Sequence, residues 1–197
     1  MTRRIFVIRH GNTFAPGESP RRIGARTDIP LVESGEVQAD ALGAWFAAQA
    51  FPVVRLFSGP LLRTRQTAAR IGAAIGQAPE GALSWLGEID HGPDEGLPET
   101  EVVARVGADA LAAWDEQGIA PKHWIVDSDA RLTAWRAFFA EGGEGADLLV
   151  TSNGAARFAL LALGLAPATL KLRTGAFGEL EIAPEGPAHL VRWDVRP

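Results

Sequence analysis

One pattern of organisation constrains this chain more than any other: a short apolar run, then small or polar residues, then a longer stretch with helical spacing. Ile5-Phe6-Val7-Ile8 leads into Arg9-His10-Gly11-Asn12-Thr13, and Val53-Val54-Arg55-Leu56-Phe57 leads into Ser58-Gly59-Pro60. Leu148-Leu149-Val150-Thr151 leads into Ser152-Asn153-Gly154. Strands that alternate with helices in this way predict an α/β fold with a mostly parallel sheet. Two further strands, Phe177 to Ile182 and His189 to Trp193, flank Ala183-Pro184-Glu185-Gly186-Pro187 and read as a terminal hairpin or edge pair.

Helices are expected between the strands. The first spans Ser34 to Gln49, with Ser34 as its cap and Val37, Ala41, Leu42, Trp45 and Phe46 at helical spacing. The second runs from Pro60, suited to a first helical position, to Ile75, with Gly76 as its stop. Thr100 to Trp114, Asp129 to Phe139 and Asn153 to Leu163 complete the set, while 76 to 98 and 117 to 128 read as loops. No internal repeat or linker divides the chain, so residues 1 to 197 are expected to form one domain.

Composition narrows the function classes. With Cys 0, a disulfide scaffold, a Cys-ligated zinc site, an iron–sulfur cluster and thiol catalysis are excluded, and a cytoplasmic protein fits. The net charge of −5 and the lack of a Lys/Arg run disfavour a nucleic-acid partner. The opening apolar run is too short for a signal peptide or membrane span, so no membrane partner is expected. There are only four His and no His-Glu-x-x-His sequence, so no metal site is expected.

Ligands of open α/β sheets bind beyond the carboxyl ends of the strands. Parallel strands would bring Arg9, His10, Arg63 and Asn153 to one crevice, and helix N-termini there favour an anion. A neutral imidazole at His10 can attack phosphorus while Arg9 and Arg63 hold the phosphoryl oxygens. Glu88, in Gly87-Glu88-Ile89-Asp90-His91-Gly92, is the candidate proton donor, on the expectation that shielding from water keeps its carboxyl protonated near neutral pH. Plainer readings stand beside these: Arg63 as an exposed helix arginine, Glu88 as part of a solvated acidic loop, His91 and His123 as exposed loop residues, and His189 as structural.

Taken together, these residues resemble the histidine phosphatase superfamily, which includes the cofactor-dependent phosphoglycerate mutases. Arg9-His10-Gly11-Asn12-Thr13 is similar to the family's Arg-His-Gly signature, and Ser58 to Ala68 is similar to its Ser-x-x-x-Arg-x-x-Gln-Thr segment. Gly24 to Leu31 with Gly35 and Gln38-Ala39, and Glu88 with Gly92 and Glu95-Gly96, resemble two further blocks. The resemblance implies a three-layer α/β/α sandwich of phosphoglycerate mutase type. It also implies His10 as the phosphorylated nucleophile, Glu88 as acid/base and Arg63 as the second phosphate arginine; the hydrolase reading built on it adds Arg9, Asn12 and Asn153 as phosphate ligands and needs no cofactor.

One departure stands out. Val150-Thr151-Ser152-Asn153-Gly154-Ala155 occupies the place where the family carries a second histidine in a Ser-His-Gly sequence. An Asn amide donates a hydrogen bond but carries no charge. Two functions follow: hydrolysis of a small phosphorylated substrate through phospho-His10, or binding of such a ligand or of inorganic phosphate without turnover. A mutase is less favoured, since nothing in 101 to 128 builds an obvious lid for a retained intermediate. Substrate choice falls to residues 14 to 26 and a cap over about 90 to 128, where Arg26 and His91 are candidate substrate contacts and His91 is also a candidate stand-in for the second histidine. Arg21 and Arg22 read as solvent-facing or as ligands of a second acidic group. Trp114, Trp124 and Trp135 read as core or as packing over the pocket. Oligomeric state is left open, a homo-oligomer included.

Overall fold

A computed structural model describes residues 2–165, 167, 169–183 and 188–197. The proline-rich connection expected between the last two strands falls, at 184 to 187, outside the described residues.

The central strand, β1 (Arg3–Arg9), shows why the apolar run was diagnostic. Ile5, Phe6, Val7 and Ile8 are all fully buried. Ile5 and Val7 enter one hydrophobic cluster and Phe6 and Ile8 the other, so the strand is covered on both faces. Its neighbour β4 (Gly145–Thr151) behaves alike, with Leu149 on the first face and Leu148 and Val150 on the second.

β2 (Val53–Ser58) pairs with β4, and β3 (Gly81–Ala82) with β2, all parallel. β5 (Phe177–Ile182) adds antiparallel to β1, and β6 (His189–Val195) antiparallel to β5, giving the order β3-β2-β4-β1-β5-β6. The expected edge pair is therefore present. β3 is a strand that sequence placed in a loop; it is two exposed residues long and offers no apolar run to read.

α1 (Glu33–Ala47) and α2 (Leu62–Ile75) cover one face through Leu42, Phe46, Ala68 and Ile71. α3 (Glu99–Val106), α4 (Ala108–Gln117), α5 (Ser128–Ala140) and α6 (Asn153–Ala162) build the other through Val102, Leu111, Trp114, Trp135 and Phe158. The result is the expected three-layer sandwich.

Two local expectations are corrected. Thr100 to Trp114 is not one helix: Gly107, at φ 86° and ψ 152°, ends α3 and starts α4. That backbone state suits glycine and breaks the helical hydrogen-bond ladder. Helix starts also shift by a residue or two. Val32, not Ser34, occupies the cap position of α1, and Leu61 that of α2. The first turn of α2 is instead served from a distant loop, where Asp28 Oδ1 accepts the Leu62 N–H at 2.5 Å. Gly76 ends α2 at φ 72°, as expected.

Candidate active site

β1, β2 and β4 run parallel, so their carboxyl ends share one edge of the sheet. β1 exits toward α1 on one face and β4 toward α6 on the other. Neighbouring strands whose connections part in this way leave a crevice between them. A cleft of about 640 Å³ opens there, lined by Arg9, His10, Asn12, Glu88, His91 and Asn153 among others.

The strand-to-helix turn after β1 depends on a backbone contact. A Cβ on Gly11 would stand 2.2 Å from the Gly35 carbonyl oxygen, and one on Gly35 2.1 Å from that of Asn12. Only glycines let α1 dock this closely. The Asn12 N–H donates to Gln38 Oε1 at 2.9 Å, and the Gly11 N–H to Thr67 Oγ1 at 3.2 Å, which fixes the turn to both α1 and α2.

His10 is 3% exposed. Its Nδ1 lies 2.7 Å from the Gly11 carbonyl, which only accepts, so Nδ1 carries the proton and Nε2 keeps its lone pair. Nε2 accepts from Arg63 Nε at 3.2 Å. Burial, then Arg63 and Arg9, hold His10 well below its ordinary value of 6.5, so the imidazole is neutral at neutral pH.

Arg63 is fully buried, which removes its reading as an exposed helix arginine. Nη1 donates to the Thr27 carbonyl at 2.6 Å and Nη2 to that of Gly24 at 3.3 Å. Burial lowers its pKa, and Glu88, Asp28 and Glu95 oppose the shift. Arg9 donates through Nη1 to the Leu172 carbonyl at 2.6 Å, while its Nε is buried without a partner. Burial, with Arg63 and Arg196 acting in the same sense, pushes Arg9 down to about 10. Arg9, which lines the cleft with its Nε unpartnered, and Arg63, fully buried against His10 and outside the cleft lining, place two guanidinium charges beside a neutral imidazole, an arrangement suited to an anionic ligand.

Glu88 is buried, not part of a solvated loop. Its Oε1 accepts the Ile89 N–H at 2.9 Å and its Oε2 the Gly154 N–H, at the start of α6, at 3.2 Å. Burial alone would raise it, but His91, those two N–H groups and Arg63 outweigh burial and hold Glu88 below its ordinary value. The expectation of a carboxyl protonated at rest is thereby corrected: desolvation is present, and His91, the two backbone donors and Arg63 together overcome it.

Asn153 opens α6 and lines the cleft. Its Oδ1 accepts the Leu172 N–H at 2.9 Å, which leaves the amide nitrogen as the donor available to a phosphoryl oxygen. Beside it, Ser152 is fully buried and its hydroxyl has no partner. Asn12 is more constrained than expected: Nδ2 donates to Ser34 Oγ at 3.2 Å, and Oδ1 accepts from Thr174 Oγ1.

The remaining candidates separate. His91 is 5% exposed and lines the cleft, contrary to its expected solvent exposure; the Trp124 ring packs edge-on to it at 4.6 Å. Arg26, expected at the substrate, is directed elsewhere: its Nε lies 3.1 Å from Asp90 Oδ1 and 3.5 Å from Glu95 Oε2, and it does not line the cleft. His123 is exposed, and so is His189, 3.3 Å from Glu181. Trp114 lines the cleft, Trp124 sits behind His91, and Trp135 is buried against Phe139.

Sequence reading missed the segment before β5. Leu172 supplies a carbonyl to Arg9 and an N–H to Asn153, and Thr174 a hydroxyl to Asn12. At the rim Arg22, read as solvent-facing or as a ligand of a second acidic group, pairs with Glu99, and Lys171, which sequence reading missed, pairs with Asp115, each at 2.5 Å.

Comparison with known proteins agrees with this fold. The profile of the histidine phosphatase superfamily (branch 1) matches residues 5–195. A 2,3-bisphosphoglycerate-dependent phosphoglycerate mutase of Gloeobacter violaceus is 27% identical over 158 residues, covering 76% of this chain and 70% of that one. PE-PGRS family protein PE_PGRS11 of Mycobacterium tuberculosis is 38% identical over 96 residues, or 48% of this chain, which spans only 16% of its length. In solved structures, a mycobacterial glucosyl-3-phosphoglycerate phosphatase superposes with a TM-score of 0.80 at 22% identity, covering 99% of this chain and 100% of that one. A putative alpha-ribazole-5'-P phosphatase of Escherichia coli gives 0.72 at 22% identity, over 98% and 96%.

Proposed function

The chain belongs to the histidine phosphatase superfamily, branch 1, and on that footing we propose that it hydrolyses small phosphomonoesters through a phosphohistidine at His10. The observation that carries this reading is the state of His10: buried, neutral, with Nδ1–H held by Gly11 and the Nε2 lone pair facing Arg63.

His10 Nε2 attacks phosphorus, and the bond to the leaving oxygen breaks. Arg9 and Arg63 hold the phosphoryl oxygens as charge gathers on them, and the Asn153 amide donates one neutral hydrogen bond. Glu88 is ionised at rest, but a phosphate dianion entering beside it disfavours a second negative charge and draws a proton onto the carboxyl pair of oxygens. That proton goes to the leaving oxygen. Glu88, again a carboxylate, then takes a proton from the water that cleaves the phosphohistidine. Residues 90 to 128 form the cap that contacts the leaving group, and the absence of cysteine fits action in the cytoplasm.

A second reading has its own observation: Asn153 brings a neutral amide where an imidazolium would strengthen transition-state binding, which suits a phosphoryl-ligand binder without turnover. Phosphate release from a broad phosphomonoester panel, without added metal, separates the two. Turnover that disappears in His10→Ala is expected. Activity surviving in purified His10→Ala would overturn the phosphohistidine route. No turnover in the unmodified protein, with phosphate-ester binding weakened by Arg63→Ala, would establish the binder.

A further inference from the structure

Two buried polar atoms beside the cleft neither donate nor accept a hydrogen bond: Nδ1 of His91 and Oε2 of Glu95, the latter with only the Arg26 guanidinium at ion-pair distance. They meet over Gly24. A Cβ on that residue would stand 2.7 Å from each, so the two atoms lie no farther apart than twice that length. Glu95 is fixed in place by Thr27 Oγ1, which donates to its Oε1 at 2.7 Å, and by Arg26 Nε at 3.5 Å from Oε2. The carboxylate is 5% exposed.

His91 therefore has two different sides. Its Nδ1 is sealed over Gly24 toward Glu95, while the ring lines the same cleft as His10, Glu88 and Asn153. A buried imidazole with a carboxylate behind one nitrogen is set to carry a proton on the other, because the carboxylate stabilises the cation that results. The charged groups facing His91 are Glu88, Glu95 and Asp90, which favour its protonation, and Arg22, which opposes it. Burial presently dominates and holds it neutral.

We propose that His91 and Glu95 form a proton-holding pair that serves Glu88, so that His91 supplies the imidazole the strand end at Ser152 and Asn153 lacks. The inference rests on the phosphohydrolase reading. In the substrate complex the proton is shared between His91 and Glu88. As the bond from phosphorus to the leaving oxygen breaks and that from His10 Nε2 forms, the shared proton moves to the leaving oxygen, leaving His91 neutral and Glu88 a carboxylate. The attacking water returns a proton to the pair when phosphate is released. His91 is thus a positioning residue for the proton on Glu88, and Glu95 for His91.

Two measurements test this on the full chain. The first is the pH profile of kcat in Glu95→Gln and His91→Gln. Both are expected to lower kcat by about tenfold or more with little change in KM, and Glu95→Gln to move the alkaline limb toward lower pH, because His91 loses the charge that holds its proton. Profiles that superpose on that of the unmodified protein would overturn the pairing. The second needs no turnover: ¹⁵N-histidine spectra recorded across pH with and without saturating inorganic phosphate. His91 should gain its proton at higher pH when phosphate is bound, and less so in Glu95→Gln. Phosphate binding that leaves the His91 titration unmoved sinks the pair, whereas failure to bind phosphate at all sinks the hydrolase reading instead.

Discussion

Arg63 donates its Nε–H to Nε2 of His10 at 3.2 Å, so the group expected to hold the phosphoryl oxygens also covers the lone pair expected to attack phosphorus. Ligand entry has to redirect that N–H from nitrogen to a phosphoryl oxygen, and the same movement uncovers the nucleophile. The other two Arg63 bonds, to the carbonyls of Thr27 and Gly24, tie the guanidinium to the loop before α1.

Arg63→Lys should therefore be far from conservative. An ammonium keeps the charge but cannot reach Thr27, Gly24 and the phosphoryl group together. A loss of about 10²-fold or more in kcat/KM is expected, the scale of removing one oriented donor to transition-state charge. Steady-state kinetics of the purified variant check it; a loss under about threefold would show that charge alone suffices.

Asn153 is held by the Leu172 N–H, which orients its amide nitrogen toward the cleft. Asn153→Ala removes the donor and strands that N–H, so both ligand affinity and turnover should fall. Asn153→His is expected to retain or raise turnover, with the difference between a charged and a neutral donor worth about 2 kcal/mol. A His variant slower than the Ala variant would show that the amide geometry outweighs charge.

Stability should decline on mild acidification. His10 and His91 both titrate below 6.5 in the folded state, so between those values and 6.5 the unfolded chain binds more protons. Stability is then present above 6.5 and is lost as pH falls below it, by at most about 1.4 kcal/mol per pH unit for each group. Urea midpoints across this range should drop in the unmodified protein and drop less steeply in His10→Asn. Equal slopes in the two proteins would show that His10 is not the cause.

Gly35→Ala should cost more than an exposed helix substitution ever does. Its Cβ would stand 2.1 Å from the Asn12 carbonyl oxygen, backbone that cannot step aside without moving the turn that carries His10. A loss of about 2 kcal/mol or more is expected by thermal or chemical unfolding. Full stability with intact phosphate binding would mean that α1 can slide.

The parts of this molecule that were legible in its sequence are those whose cause is local. The continuous apolar run Ile5 to Ile8 declared a strand covered on both faces, and the polar residues after Ile8 and Thr151 marked the crevice edge. What escaped notice was set by residues far apart. His91 sits in a loop that reads as exposed, and becomes buried only because Trp124 and Gly24 arrive from elsewhere. Glu88 reads as a shielded acid, yet His91, the backbone N–H of Ile89, Arg63 and the backbone N–H of Gly154 together hold it below its ordinary value, and two of those are peptide groups that no side chain betrays. Leu172 contributes through its peptide group alone, and a peptide group is the same at every position. Gly107 lies among good helix formers, and only its φ of 86° reveals that the helix stops there.

The paired charges at the rim, Arg22 with Glu99 and Lys171 with Asp115, leave the entrance nearly neutral while Arg9 and Arg63 lie deep inside. On the phosphohydrolase reading, a phosphoester would thus not be drawn in from a distance; it would meet the charge of Arg9 and Arg63 only once its phosphoryl group had passed the rim. Encounter rates should be those of unsteered diffusion and largely indifferent to ionic strength. Discrimination among anions would then fall to the fit of the rest of the ligand against the cleft wall and rim.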